Sequence, residues 1–125
     1  MNTLDIINCK DVNELENFLH AINEKTGFFG SMIISDDGLI VLSSKNISDD
    51  IDFESVAADA ANIFNSDANF YKDVVFSVNE TKVYITRMNV DGSKPMMYMT
   101  ILPHNIRYYK RKINKIRNKI KHFFI

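Results

Sequence analysis

Val12, Leu15, Phe18, Leu19 and Ile22 recur at spacings of three and four. That is the period of a helix with one buried face. The stretch DVNELENFLHAINEKTG therefore predicts a first helix. Asp11 and Glu14 stand at capping-box spacing at its start. Gly27 stands where helices commonly end in a left-handed glycine.

The pattern then changes. Residues 30–34 and 39–43 are apolar runs too short for helices, and Ser35-Asp36-Asp37-Gly38 separates them. This predicts a β-hairpin. Asp37-Gly38 supplies the positive φ that a tight turn requires.

DIDFESVAADAANIFNS returns to helical spacing. Asp50 or Asp52 can accept its first unpaired N–H groups. Phe53, Val56, Ala57, Ala60 and Phe64 share one face, which is expected to lie on a sheet. Ala58, Ala61 and Asn65 form a neighbouring flank whose small side chains would admit a second helix closely. The alanines are equally explained by helix propensity.

Three strands are expected next, at Val74 to Val78, Lys82 to Met88 and Met96 to Leu102. Asn79-Glu80-Thr81 links the first pair and Asp91-Gly92 turns the second. A last helix is expected from about Asn105 to Phe124, with Ile106, Tyr109, Ile113, Ile116, Ile120 and Phe123 as its apolar stripe. The order α-β-β-α-β-β-β-α predicts an α+β sandwich. A five-stranded antiparallel sheet carries helix 2 on one face and helices 1 and 3 on the other, so both faces are buried.

At 125 residues, 46% of them hydrophobic, the chain is expected to form one domain over 1–125, with its core at about 11–124. No run of about 18 apolar residues suggests a membrane span. The N-terminus lacks the basic flank and apolar stretch of a signal peptide, so a cytoplasmic protein is expected.

Candidate chemistry is sparse. Asp36 and Asp37 are too few ligands for a metal, and adjacent extended side chains point apart. They read as a solvated turn. His20, His104 and His122 lack ligand spacing, and Cys9 is a lone cysteine. No phosphate loop, dinucleotide fingerprint or nucleophile elbow is present. The sequence therefore assigns no catalytic residue, cofactor or metal, and a non-enzymatic protein is expected.

Charge is strongly segregated. Residues 1–103 hold seven Lys/Arg against sixteen Asp/Glu, and residues 104–125 hold eight Lys/Arg and no acid. Arg107, Lys110, Arg111, Lys112, Lys115, Arg117, Lys119 and Lys121 form a basic surface that suits phosphates of nucleic acid or anionic lipid. The competing reading is a packed helix whose solvated side happens to be basic.

Taken together, the chain resembles the roadblock/dynein light chain domain family. The likeness is carried by Gly30-Ser31-Met32-Ile33-Ile34-Ser35 running into Asp37-Gly38-Leu39-Ile40. It continues through Asp52-Phe53-Glu54-Ser55-Val56-Ala57-Ala58, Ala61, the strand pair after it, and Asn105-Ile106 leading to a terminal helix. The family's frequent glycine early in helix 3 is replaced here by Arg107 and Tyr108. The resemblance implies a profilin-like sandwich that forms dimers. Third strands would pair through Val74, Phe76 and Val78, and second helices would pack through Ala58, Ala61 and Asn65. An apolar edge strand is also a pairing liability on its own account. The resemblance further implies a homodimeric scaffold or regulator of a small Ras-like GTPase. Glu54, Asp59 and Asn62 are the expected contacts to that GTPase. The rival expectation is a nucleic-acid- or anionic-membrane-binding module working through Arg107, Lys110, Arg111 and Lys115.

Overall fold

A computed structural model of the chain describes residues 12–46, 51–66, 72–78, 80–89 and 95–124. The expectations for Cys9, Asp11, Asp50 and the Asp91-Gly92 turn lie outside them.

Three α-helices and five strands form among these residues: α1 (Val12–Thr26), β1 (Gly30–Ile34), β2 (Ile40–Lys45), α2 (Phe53–Ser66), β3 (Asp73–Val78), β4 (Thr81–Met88), β5 (Met96–Pro103) and α3 (Lys110–Lys121). A short 3₁₀ turn, His122–Phe124, follows. The element order is the expected one. The strands make one antiparallel sheet in the order β2-β1-β5-β4-β3.

The sheet divides the core into two layers. On one face Met32, Ile34, Val83, Ile85, Met97, Met99 and Ile101 meet Phe53, Ala57, Ala60, Ala61 and Phe64 of α2. On the other, Ile33, Tyr84, Met88, Met96, Tyr98 and Leu102 meet Leu15, Leu19 and Ile22 of α1 and Ile113, Ile116 and Ile120 of α3. β1 and β5 are covered on both faces, so they read as continuous apolar runs rather than alternating ones.

The layers are tied by buried polar side chains. Ser31 Oγ donates to Asn23 Oδ1 at 2.9 Å and shares a hydrogen bond with Tyr98 Oη at 2.9 Å. Asn23 Nδ2 donates to the Ser44 carbonyl at 2.8 Å. One relay thus links α1 to β1, β2 and β5. Each group is satisfied where an unpaired one would be costly.

The last helix starts later than expected. Residues 104–105 form a turn in which Ile106 N–H donates to the Pro103 carbonyl at 3.2 Å. Tyr108 then takes φ 60°, a left-handed conformation that breaks the helical run. α3 begins only at Lys110, and Tyr109 at its N-cap makes no side-chain capping bond. Ile106 and Tyr109 still pack on the core, which is why the apolar spacing runs on across the break.

Candidate functional site

The β1–β2 tip is built by local hydrogen bonds. Gly38 N–H donates to the Ser35 carbonyl at 3.0 Å, and Leu39 N–H donates to Ser35 Oγ at 3.1 Å. Ser35 Oγ also donates to Asp37 Oδ1. Gly38 takes φ 90°. The aspartates belong to a turn, as their sequence context suggests. Among the described residues, no cluster of three or more His, Cys, Asp or Glu is placed to hold a metal.

The tip has a seat. A Cβ added at Gly38 would lie 3.0 Å from Ala58 Cα and 3.1 Å from Ala61 Cβ. Asn65 Nδ2 donates to the Asp36 carbonyl at 3.0 Å. Ala58, Ala61 and Asn65 thus receive the chain's own hairpin. Ala61 is buried by it, while Ala58 and Asn65 remain exposed.

The opposite flank of α2 is different. Val56 and Ile63 are half-buried there and point away from the hairpin side. Near that flank, Val74, Phe76 and Val78 of β3 face the α2 layer and are likewise only half-buried. β3 ends the sheet, and no described strand pairs with its outer edge. The helix flank and the edge strand together make an apolar surface that the described residues leave half-covered.

Glu54, Asp59 and Asn62 are all exposed on α2. Asp52 caps this helix, accepting from Ser55 N–H at 3.1 Å. At its other end Arg87 Nη2 donates to the Phe64 carbonyl at 2.9 Å, and its guanidinium lies 5.1 Å from the Phe64 ring. A cation there suits the negative end of the helix dipole. Glu54 also borders an open groove of about 570 Å³ between β2 and the start of α2. Its floor includes Met32, Ile40 and Phe53, and Lys45 and Asp52 stand on its rim.

On the other face, Arg107, Lys110, Arg111, Lys112, Lys115 and Lys119 are exposed. Arg117 departs from the expected basic surface. It is only 9% exposed and donates from Nη1 to Thr86 Oγ1 at 2.9 Å, while its Nε has no hydrogen-bond partner among the described residues. Position 117 follows Ile113 by four residues and Ile116 by one, inside the i, i+3, i+4, i+7 core pattern. That spacing was the available signal. Nearby, Tyr84 Oη donates to Asp73 Oδ2 at 2.6 Å. Burial, and then this carboxylate, push the Tyr84 phenol well above its usual pKa of 10.0. Burial likewise raises that of Tyr98.

The fold has solved counterparts. A Myxococcus xanthus MglB structure superposes with a TM-score of 0.68 and 12% identity, covering 92% of this chain and 98% of that one. An MglB described in a tetrameric arrangement gives 0.70 and 9%, over 89% and 88%. A roadblock/LC7 domain from Streptomyces avermitilis gives 0.53 and 12%, over 90% and 93%. The chain therefore has the roadblock/LC7 fold, as the resemblance implied. No protein-family model matches the sequence, and no curated protein matches it at a significant level. No described helix is long and apolar enough to cross a membrane.

Proposed function

We propose that the chain is a homodimeric, non-enzymatic scaffold or regulator of a small Ras-like GTPase, working in the cytoplasm as one roadblock-like domain. The observation that carries this reading is the half-covered surface of Val56, Ile63, Val74, Phe76 and Val78 beside the edge of β3 that no described strand pairs. A second copy related by a two-fold axis would pair β3 with β3 and continue the sheet across both chains. The same contact would bring the Val56 and Ile63 flanks together. Ala58, Ala61 and Asn65 would lie outside this contact, because together they already seat the hairpin. The described tetrameric arrangement of one MglB agrees with a fold that self-associates. The paired helices would present Glu54, Asp59 and Asn62 from both chains as one polar surface for the GTPase.

Light scattering coupled to gel filtration tests the dimer. A mass of twice 14.4 kDa is expected, with Phe76→Asp giving the monomer. A strict monomer at micromolar concentration would sink the reading. Binding to purified small GTPases from the same organism tests the second half. Asp59→Lys with Asn62→Lys is expected to weaken that binding while leaving the dimer intact. Failure to bind any of them would leave a dimer without this function.

A further inference from the structure

We propose that the outer face of α3, headed by Tyr108, is a binding track for single-stranded nucleic acid. This does not depend on the GTPase reading. Arg111, Lys115 and Lys119 follow one another at i, i+4 and i+8, with Lys112 beside them, and all are exposed. The row is about 12 Å long at 1.5 Å per residue. Its members lie opposite Ile113, Ile116 and Ile120, which are sunk in the core.

Two features make this arrangement costly for a helix that only packs. Like charges at i, i+4 repel, and among the described residues no carboxylate forms an ion pair with any of them. Lys110, Arg111 and Lys112 also occupy the first turn, at the positive end of the helix dipole,. A bound polyanion reverses the sign of both terms.

Tyr108 adds an independent observation. It is 90% exposed, the most exposed of the large hydrophobic side chains described, and its φ of 60° is unusual for a bulky residue,. The backbone thus holds an aromatic ring in water beside Arg107, at the head of the cationic row. Such rings stack on unpaired bases. The exposed amides of Asn114 and Asn118 lie between the cations as further hydrogen-bonding groups.

The width of the track selects the partner. α1 packs beside α3, with the Phe18 and Phe123 rings 5.5 Å apart, and it exposes Glu14, Glu16 and Glu24. A duplex or a membrane plane broad enough to cover both helices would also lie over acidic α1. A single strand can follow α3 alone. The apolar seam of Ile113, Ile116 and Ile120 is already buried in the core and so is not available to a bilayer,.

Fluorescence anisotropy of the full chain with a labelled oligo(U) RNA and oligo(dT) tests this. If four or five phosphates are neutralised, binding should weaken roughly 50- to 100-fold between about 50 and 200 mM salt. Lys115→Glu with Lys119→Glu should abolish binding without lowering the melting temperature. Tyr108→Gly suits the positive φ, so it should fold at least as stably as the parent. It should nonetheless bind about fivefold or more weakly through lost stacking. The proposal is overturned by no binding at low salt, or by equal binding of a duplex of the same length. Tighter binding to phosphatidylserine vesicles, or parental affinity in Tyr108→Gly, overturns it as well.

Discussion

Replacing Gly38 with alanine tests whether the hairpin tip is seated on α2, because a second glycine serves as its control. Gly27 and Gly38 both have left-handed backbones, with φ of 78° and 90°. A Cβ at Gly27 meets nothing within 4 Å, whereas one at Gly38 meets Ala58 Cα at 3.0 Å, Ala61 Cβ at 3.1 Å and the Ala57 carbonyl at 3.3 Å. The conformational cost of about 1–2 kcal/mol for an L-residue in this region is therefore common to both variants. Gly38→Ala adds overpacking of about 1–3 kcal/mol, since two of its three neighbours are backbone atoms that cannot swing aside. Urea unfolding followed by circular dichroism measures the difference. With a slope of about 2 kcal/mol/M, the Gly38→Ala midpoint should fall about 0.5–1.5 M below that of Gly27→Ala. Protein concentration must be matched, because self-association would shift both midpoints. Equal midpoints would refute the seat.

Asn23→Ala should cost about 1–3 kcal/mol in the same assay, because it removes one hydrogen bond from Ser31 and one from the Ser44 carbonyl,. Arg117→Met combined with Thr86→Val removes a buried cation, whose Nε has no partner among the described residues, together with its acceptor. The pair should be at least as stable as the parent, by about 0–1 kcal/mol in thermal melting; a large loss would show that the arginine is a net stabiliser. Tyr84 and Tyr98 bind their phenolic protons more tightly folded than unfolded. Their contribution is thus complete below the usual tyrosine pKa of 10.0 and is lost as pH rises above it,. Ultraviolet titration should show both silent near that pH; ionisation of either there would refute the burial argument.

The elements of this fold are legible because their signals are local. Ile113, Ile116 and Ile120 announce a buried helix face, and the Ser35-to-Gly38 turn is built within a few residues of itself. The start of α3 is not legible in the same way. Ile106 and Tyr109 keep helical spacing although the chain between them turns left-handed at Tyr108. The alanine flank announces a close approach, but the nearest claimant is a glycine twenty residues upstream, which only the topology brings there. Arg117 stands inside a core pattern, but the basic composition of the whole segment masks that position. The half-covered surface beside β3 needed both the strand order and the direction of α2. Neither is written in any one stretch of residues.

The strand order also sets a timetable for synthesis. β5 lies between β1 and β4, yet it is the last strand made. While the ribosome is still adding residues up to 95, β1 has β2 on one side only. Its Gly30–Ile34 segment is buried in the finished sheet but until then offers an apolar backbone edge to other nascent chains,. At about 5–20 residues per second that exposure lasts some seconds. It ends only when Met96–Pro103 slides in between the two halves and closes the centre of the sheet.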